Sequence, residues 1–413
     1  MKIYGIARSR KMGTIAVIGA GASGMVAAIE ASKRHKVILI DGNDRCGKKL
    51  LLTGNGRCNY WNSNITVDRY NTDCLGSLER ILSVENVSET FKWLTDIGIY
   101  PRIKNEHYYP YSNQASSVRE LFERKISNSS IKFYTGFKVE QIKIENTGFS
   151  ICSSEGKNVF CDKIIIATGS KAYEKTGSNG IGYSLATNLG HSVNQPLPAL
   201  TGLISNGKFL KDWDKIRSDA RVTLIVNGKA LKSDTGEIQL TSKAVSGICV
   251  FNISGLTAKH IHQGDSTELE INFMPNLEKG FYEWFDTRCS NFEDMTLETA
   301  LESIFNYKLM FVLLEKAIVN RNMFWANMND SQRQYLCDVI EHFRIPVIDT
   351  EKYERAQVCT GGVPVSEINP HNMESLILPG VHFVGEVLDV DGQCGGYNLA
   401  FAFVSGYVAG KNI

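Results

Sequence analysis

The sequence feature that most constrains the fold is a glycine-rich turn, Gly19-Ala-Gly-Ala-Ser-Gly24, that follows a short apolar segment. Residues 15–19 are apolar and partly β-branched, which predicts a buried parallel strand. The small residues at 25–32 predict a helix, and residues 36–40 predict a second strand. A GxGxxG motif between a strand and a helix is typical of a dinucleotide-binding α/β domain.

The three glycines of this motif have separate predicted roles. Gly19 permits the tight turn, Gly21 lets the backbone approach a pyrophosphate, and Gly24 lets the helix pack against the strand. We expect the phosphates at the helix N-terminus, at Ala22 and Ser23, because unpaired N–H groups and the helix dipole favour anions there.

An acidic residue ends the second predicted strand. Asp41 lies 22 residues after Gly19, close to the spacing of about 20 that is typical of the acid that binds a ribose hydroxyl. A carboxylate at this position would repel a 2′-phosphate. The motif therefore favours FAD or NAD over NADP.

Two later blocks favour FAD. Short alternating segments at 131–166 predict a strand, a β-meander and a return strand that runs into Ala167-Thr-Gly169. A strand at 381–385 ends at Gly385 and is followed by Glu386. The pattern resembles FAD proteins of the two-nucleotide superfamily, in which an acid at this position usually holds the flavin ribityl chain. The glycines at 392–396 precede an apolar helix, so their N–H groups are expected at the flavin pyrimidine, which becomes negative on reduction. Three blocks in this order predict a two-nucleotide FAD domain.

Composition excludes several classes of protein. The 45 basic and 44 acidic residues give a net charge of +1, so there is no general field to attract nucleic acid. No segment reaches the roughly 18 apolar residues of a membrane span, and none of the ten cysteines forms a CxxC pair or zinc-type cluster. These observations predict a soluble cytoplasmic protein with reduced thiols and no resident metal.

Motifs along nearly the whole chain resemble the BaiN/RdsA-type NAD(P)/FAD-dependent oxidoreductases, the YhiN-like flavoproteins, whose members include proteins described as aminoacetone oxidases. The matching stretches are the glycine turn and the runs at 47–59, 109–116, 167–169, 175–178, 196–200, 236–247, 356–363 and 385–398. The last of these, Gly385-Glu-Val-Leu-Asp-Val-Asp-Gly-Gln-Cys-Gly-Gly-Tyr-Asn398, is the most specific. One departure is Asp41-Gly42, where the family pattern has Glu-Lys; the shorter acid is still expected to reach a ribose hydroxyl.

The resemblance implies a Rossmann-like α/β FAD domain made of both chain ends, with an inserted domain over the flavin. The expected division is 1–194 and 350–413 for the FAD domain and 195–349 for a substrate or cap domain. Strand-like segments at 221–226, 237–240, 248–251 and 268–273 predict that the insertion begins β-rich, and residues 277–344 are helix-like. Within that part, Phe281, Trp284, Phe285 and the apolar positions from Ile304 to Ile318 have helical spacing. We interpret these side chains first as core, and second as a lining for an apolar substrate.

The glycine motifs and the resemblance together give the candidate cofactor residues. The residues predicted to bind FAD are Gly19, Gly21, Ala22, Ser23, Gly24, Asp41, Lys49, Gly56, Arg57, Cys58, Asn59, Val139, Ala167, Thr168, Gly169, Gly385, Glu386, Asp391, Gly395, Gly396, Tyr397 and Asn398. Tyr397, Arg57 and His107 are the predicted catalytic residues, with Tyr109 a further candidate, because a flavin reaction on a C–H or C=C bond needs a proton donor or acceptor.

Three functions remain open at this stage. The sequence has no second GxGxxG unit and no CxxxxC pair, which argues against a glutathione-reductase-like enzyme. The resemblance suggests a reductase, in which NADH or NADPH docks transiently and a conjugated C=C bond of a small molecule is reduced, as in 3-dehydro-bile-acid Δ4/Δ6 reduction. The aromatic and aliphatic residues of the insertion favour this function, because they suit an apolar substrate. The alternatives are an amine oxidase that passes electrons to oxygen, and an FAD-dependent RNA-modification or assembly partner. The protein is expected to be a monomer or homodimer.

Overall fold

A computed structural model describes residues 12–290 and 295–413. The chain divides into two compact units, one made of Met1–Pro196 and Val358–Ile413 and the other of Leu197–Gln357. The segments on the two sides of Leu197–Gln357 therefore belong to one unit. The predicted assignment of the middle segment to substrate binding stays a prediction.

The N-terminal stretch of the chain alternates strands and helices. Its elements are β1 (Thr14–Ile18), α1 (Ala22–Ala31), β2 (Lys36–Ile40), β3 (Trp61–Asn62), β4 (Tyr70–Thr72), α2 (Leu75–Ile81), α3 (Val84–Asp96), β5 (Pro101–Lys104), β6 (His107–Pro110), α4 (Ala115–Ser127), β7 (Lys132–Tyr134), β8 (Val139–Glu145), β9 (Gly148–Ser153), β10 (Asn158–Cys161), β11 (Lys163–Ile166), α5 (Ile181–Asn188) and β12 (Asn194–Ala199).

The middle stretch begins β-rich and continues largely helical. Its elements are β13 (Leu203–Ile204), β14 (Ile216–Val226), β15 (Lys229–Leu240), β16 (Ala244–Gly247), α6 (Ile248–His262), β17 (Thr267–Asn272), α7 (Phe281–Ser290), α8 (Leu297–Glu302), α9 (Tyr307–Lys316), α10 (Asp330–Glu341), β18 (Phe343–Pro346) and β19 (Asp349–Thr350). The C-terminal stretch adds β20 (Val358–Gly362), β21 (Val381–Phe383), β22 (Val390–Gly392) and α11 (Tyr397–Asn412).

The first unit is built around a five-stranded parallel sheet in the order β21-β11-β1-β2-β7. Strands β8, β9 and β10 form a separate antiparallel meander, and β11 returns from it to pair with β1. The predicted Rossmann-type FAD fold, with a parallel sheet and a β-meander, is confirmed. Strands β1, β2, β11 and β21 are largely buried and mostly apolar, as is typical of a parallel sheet covered on both faces, whereas the edge strand β7 is partly exposed.

Helices α1 and α11 pack closely because small residues face each other. A Cβ on Gly410 would lie 2.7 Å from the carbonyl oxygen of Ala27, and one on Gly406 would collide with the carbonyl oxygen of Ser23. The two glycines are four residues apart and so share one face of α11. This contact holds the C-terminal helix against the helix that follows the glycine turn.

The second unit contains a seven-stranded antiparallel sheet, β18-β17-β14-β15-β16-β13-β19, and the helices α6 to α10. Phe281 and Phe285 are fully buried with ring centroids 5.0 Å apart, so both belong to its core. The strand predicted at 248–251 is wrong, because these residues form the first turn of α6. The apolar positions from Ile304 to Ile318 also do not form one helix: α9 begins at Tyr307 and ends at Lys316. In the part of the chain that is described, no helix combines the length and apolarity needed to cross a bilayer.

Candidate functional site

The glycine turn between β1 and α1 has one side packed against protein and one side open. Gly19 has a left-handed φ of +104°, and a Cβ on it would collide with the carbonyl oxygen of Ala167; a Cβ on Gly24 would collide with the carbonyl oxygen of Gly19. At Gly21, by contrast, a Cβ would meet nothing within 4 Å. Packing therefore requires the first and third glycines, whereas Gly21 borders space that a ligand can fill.

The first turn of α1 presents its backbone N–H groups at that open side. Gly21 is the N-cap residue and no side chain caps the helix, so the amides of Ala22, Ser23 and Gly24 lack an intrahelical acceptor. The Ser23 hydroxyl donates to the carbonyl oxygen of Val384 at 3.4 Å, which ties this turn to the end of β21. Backbone amides rather than the serine hydroxyl are thus available to a phosphate.

Asp41 holds the loops beside the glycine turn. Its Oδ2 accepts from the Ala20 amide at 2.7 Å, and its Oδ1 accepts from the Asn43 amide at 2.7 Å. Each carboxylate oxygen can accept a second hydrogen bond, so a ribose hydroxyl can be added to this arrangement. The structural role of Asp41 at Ala20 and Asn43 was not foreseen from the sequence.

The Ala167-Thr168-Gly169 block follows β11 at the same edge of the parallel sheet. In the described residues, the Oγ1 atom of Thr168 is buried without a hydrogen-bond partner, and Gly182 has no room for a Cβ because that hydroxyl occupies the space. A buried polar atom without a partner is costly and is often satisfied by a ligand or water. Thr168 therefore suits a site that is completed by a bound polar group.

Lys49 and Glu386 form an ion pair. The sequence predicted both as FAD-binding residues but did not predict that they contact each other. Lys49 Nζ lies 2.6 Å from Glu386 Oε2, and the Ser170 hydroxyl donates to the same oxygen at 3.3 Å. The two charged side chains are 23% and 20% exposed. Glu386 stands directly after Gly385, whose Cβ position is taken by the Ser23 hydroxyl. The predicted ribityl-binding acid therefore lies beside the first turn of α1.

The glycines before α11 are held by side chains from distant segments. Asn62 Nδ2 donates to the Gly395 carbonyl oxygen at 3.0 Å. Asn398 closes the loop by accepting from the Gly392 amide and donating to the Gly392 carbonyl oxygen, each at 2.8 Å. Gly396 is the N-cap residue of α11 with a left-handed φ of +93°. Asn398 acts on the loop itself, so its predicted contact with FAD stays a prediction.

Asp391 lies on β22 and is almost fully buried. Its Oδ2 accepts from Asn71 Nδ2 at 2.8 Å, a partner that the sequence gave no reason to expect. The neighbouring Asp389 accepts from the Gly361 amide at 2.9 Å and from Asn194 at 2.7 Å. Both acids thus anchor the segment that precedes the loop with Gly395 and Gly396.

His107 is oriented by the Gly395 loop and by Asn59. With the Asn59 amide placed to donate to the carbonyl oxygens of Tyr108 and Trp61 at 3.2 and 3.3 Å, its oxygen accepts from His107 Nδ1 at 3.3 Å. The same Nδ1 lies 3.2 Å from the Gly395 carbonyl oxygen. Two acceptors at Nδ1 assign the proton to that nitrogen and leave Nε2 as an acceptor in the neutral ring.

Tyr397 and His107 flank the same glycine. A Cβ on Gly395 would lie 2.9 Å from His107 Cε1 and 3.2 Å from Tyr397 Cε2. Burial raises the pKa of the Tyr397 phenol, and the carboxylates of Glu106 and Asp68 raise it further against the opposing effect of Arg69. The phenol therefore keeps its proton at neutral pH and can act as a proton donor.

Arg57 and Val139 contact other groups. The Arg57 guanidinium donates to the Gly54 carbonyl oxygen at 3.2 Å and lies 5.7 Å from the Tyr109 ring centroid, on an exposed loop with Gly56. Val139 begins β8 and pairs with Ser153 in the meander. In the part of the chain that is described, these contacts of Arg57 and Val139 do not reach the glycine turn.

The cysteines are free thiols in the structure. All ten lie in the described residues and none is in a disulfide. Burial raises the pKa of Cys58 to about 12, and burial also raises the pKa of Cys359. Because the thiolate is the reactive form, both thiols stay protonated and weakly reactive at neutral pH. The predicted contact of Cys58 with FAD stays a prediction. The described residues also contain no cluster of three or more His, Cys, Asp or Glu side chains that could hold a metal ion.

A separate chain of polar residues has the connectivity of a hydrolase triad. The His191 ring lies 2.7 Å from Glu367 Oε2 through Nδ1 and 2.8 Å from Ser375 Oγ through Nε2. Ser375 Oγ also accepts from the amides of Ile377 and Leu378, and the His191 side chain is fully buried. The serine lone pairs are occupied, so this chain has a structural role.

The comparisons with known proteins agree with this geometry. The HI0933-like protein Rossmann domain matches residues 13–412. Fold and site thus define an FAD-binding Rossmann flavoprotein, and the protein is a flavin-dependent oxidoreductase. More particularly, the chain belongs to the HI0933-like family. The open side at Gly21 and the buried Thr168 hydroxyl show that the residues of this chain fit FAD.

Two kinds of relative cover nearly the whole chain. The chain is 35% identical to a 3-dehydro-bile acid delta(4,6)-reductase from Clostridium scindens, over 97% of this chain and 98% of the relative. It is 25% identical to a ribosomal RNA dihydrouridine synthase from Escherichia coli, over 96% of this chain and 97% of the relative. Among solved structures, the open conformation of a flavocytochrome c3 fumarate reductase is similar with a TM-score of 0.49 and 14% identity, covering 98% of this chain and 78% of that chain.

Proposed function

We propose that this flavoenzyme reduces a C=C bond conjugated with a carbonyl group in an apolar small molecule, with NADH or NADPH as the source of the hydride. The observation that carries the proposal is the 35% identity to a 3-dehydro-bile acid delta(4,6)-reductase over 97% of this chain. A 3-oxo group next to a Δ4 double bond is such a conjugated system. Conversion of uridine to dihydrouridine, the reaction named for the more distant relatives, also saturates a C=C bond next to a carbonyl.

The reaction needs a hydride at one carbon of the double bond and a proton at the other. Bound FAD supplies the two-electron redox chemistry between nucleotide and substrate. The protein would hold the cofactor at three places: the first turn of α1 would bind the pyrophosphate, Asp41 would bind a ribose hydroxyl, and the N–H groups before α11 would serve the flavin pyrimidine. The N–H groups and the N-terminus of α11 stabilise negative charge there.

Tyr397 delivers the proton to the substrate carbon. Its raised pKa keeps the phenol protonated, and its ring lies at Gly395, beside the predicted flavin face. His107 is less suited to this step, because its Nδ1 proton is held by Gly395 and Asn59 and its Nε2 is an acceptor. We assign His107 to orienting the Gly395 loop and to accepting a hydrogen bond. The exposed Arg57 cation is suited to the carbonyl oxygen or to another negative group of a ligand.

The first test uses the purified FAD-loaded protein without oxygen. Reduced by dithionite, the enzyme is mixed with a 3-oxo-Δ4 steroid and with a 3-oxo-Δ4,6 steroid, and the product is analysed by mass spectrometry. The expected result is a gain of two hydrogens with reoxidation of the flavin. A matched sample of the Gly21→Val variant, which is expected to fold without FAD, controls for chemical reduction.

The same preparation distinguishes the alternatives. If enones are not reduced and aminoacetone with oxygen yields peroxide, the protein is an amine oxidase and the proposal is wrong. If enones are not reduced and uridine in ribosomal RNA is converted to dihydrouridine, the substrate is RNA. Each outcome replaces the proposed substrate class with another.

A further inference from the structure

One face of the β5–β6 hairpin carries exposed aromatic and basic side chains. In the antiparallel register Lys104 is opposite His107 and Arg102 is opposite Tyr109, so these four side chains lie on one face. Tyr100 and Tyr111 continue the same alternation, and their rings are 5.6 Å apart. We call these six residues the hairpin face.

The opposite face of this hairpin is packed at Tyr108, whereas Ile103 on the same face is 58% exposed. Tyr108 makes an edge-on contact with Phe91 at 5.5 Å, and Trp61 packs on Phe91 at the same distance. Tyr100 and Tyr111 are 69% and 66% exposed. Two large aromatic rings of the hairpin face are therefore exposed to solvent.

The hairpin face carries basic side chains that form no ion pair with the described acids. Arg102 and Lys104 are exposed, and Arg57 lies over the Tyr109 ring on the same side. In residues 12–290 and 295–413, none of these three cations forms an ion pair. Unpaired cations next to exposed aromatic rings are complementary to a ligand with phosphates and a planar base.

The face is continuous with the candidate flavin site. His107 belongs to the hairpin face and its Nδ1 lies 3.2 Å from the Gly395 carbonyl oxygen. From this end to Tyr100 the strand runs four residues, about 13 Å at 3.3 Å per residue. A ligand that extends along it would have one end at Gly395 and the other at the Tyr100–Tyr111 pair.

We propose that the hairpin face is the docking site of the pyridine dinucleotide that reduces the flavin, an inference that rests on the proposed function. The nicotinamide lies toward His107 and Gly395, Arg102 and Arg57 bind the pyrophosphate, and the adenine stacks at Tyr100 and Tyr111. The hydride leaves the nicotinamide for the flavin, and the oxidised nucleotide then departs. The chain carries a single GxGxxG unit, so the nucleotide needs a site of another kind.

A long polyanion suits this face less well. Glu106 stands at the turn of the hairpin, next to the end at His107, and the chain as a whole has a net charge of only +1. The cations therefore form a short patch of roughly dinucleotide length rather than a stripe. RNA binding becomes a distinguishable outcome of the experiment.

The test compares an Arg102→Gln/Lys104→Gln variant with a Lys125→Gln/Lys143→Gln control that removes the same charge from exposed positions elsewhere. Flavin bleaching is followed by anaerobic stopped flow against NADH and NADPH concentration. The hairpin variant is expected to raise the apparent Kd about tenfold, the factor that corresponds to about 1.4 kcal/mol, with the limiting rate unchanged. The control is expected to match the native protein.

A second arm addresses the aromatic end and the electron source. Tyr100→Ala is expected to weaken inhibition by ADP-ribose, and Tyr100→Phe to retain it. Turnover of an enone by dithionite-reduced enzyme is expected to be equal in all variants, which separates docking from the proposed reaction. If dithionite-driven turnover is absent in the native protein, the proposed function fails, whatever the nucleotide data.

Three results would overturn the docking site. The first is an unchanged Kd in the Arg102→Gln/Lys104→Gln variant. The second is native flavin that neither NADH nor NADPH bleaches, while dithionite-driven turnover is intact. The third is salt-sensitive binding of single-stranded RNA that is lost in this variant while the nucleotide kinetics stay unchanged, which would assign the face to RNA.

Discussion

Lys49 Nζ and Glu386 Oε2 lie 2.6 Å apart, although the two residues are separated by 337 positions in the chain. The pair joins the loop after β2 to the end of β21. Ser170, at the end of the block after β11, donates to the same oxygen at 3.3 Å. Two segments that precede the middle unit in sequence and one that follows it thus converge at one carboxylate.

Removal of one partner of this pair is expected to lower the affinity for FAD more than it lowers the free energy of unfolding. Lys49→Met leaves the partly exposed Glu386 carboxylate without its cation, and we expect a stability loss of about 1 kcal/mol because water reaches both groups. FAD affinity is measured by flavin fluorescence and stability by urea unfolding, with the Lys49→Met/Glu386→Gln pair completing a double-mutant cycle. Unchanged FAD affinity in both single variants would show that the pair is structural only.

Gly21 and Gly19 are expected to respond differently to the same substitution. Gly21→Val puts a side chain into open space. The variant should therefore fold with the stability of the native apoprotein, but it should retain no FAD. Gly19→Val forces a left-handed residue against the Ala167 carbonyl oxygen and should destabilise the fold itself. Circular dichroism and the visible flavin band distinguish these results. A Gly21→Val protein that stays yellow would show that FAD is retained, and the predicted binding of the pyrophosphate at this turn would then be wrong.

Tyr397→Phe is expected to lower turnover at least about a hundredfold, the usual contribution of a general acid, while FAD is retained. The ring still packs edge-on against Tyr70, whose centroid is 5.8 Å away, so the fold should be unaffected. The rate of enone reduction by dithionite-reduced enzyme is the measurement. If the substitution lowers the rate of flavin bleaching by nucleotide as much as the rate of enone reduction, Tyr397 has a structural role.

His382 is expected to make the protein sensitive to acid. It is fully buried in β21, and in the described residues neither ring nitrogen has a hydrogen-bond partner. Burial lowers the pKa of His382 to about 4, from an ordinary value of 6.5, with Glu374 opposing and Lys163 assisting this shift. Burial also lowers the pKa of His191, which is the matched second site.

The sign follows from proton binding. Between about pH 6.5 and 4 the unfolded chain binds a proton at His382 that the folded protein does not, so stability falls as the pH falls, by up to about 1.4 kcal/mol per pH unit. In His382→Leu this contribution is absent, and the free energy of unfolding in urea should drop less between pH 7 and pH 5. An equal drop in both proteins would contradict the assignment. His191→Gln serves as a second variant if His382→Leu does not fold.

Local patterns predicted much of the fold and the first part of the site. The β2 bounds, Lys36–Ile40, agree with the prediction, and the meander and return strand appear where alternation indicated them. The prediction of a strand at residues 248–251 is wrong, because a short apolar run that is partly β-branched is compatible with a buried strand and with a buried helix. There, Gly247 has a φ of +120° and turns the chain from β16 directly into α6.

The sequence by itself determined the glycine turn, the acid after β2 and the order of the three blocks, because each depends on residues near one another in the chain. Only the tertiary structure decided that Asn59 and Gly395 fix the proton of His107, and that basic and aromatic residues of β5 and β6 share one outer face. His107 and Gly395 are 288 positions apart. No local propensity encodes such a contact, since it arises when packing of the whole unit brings the two segments together.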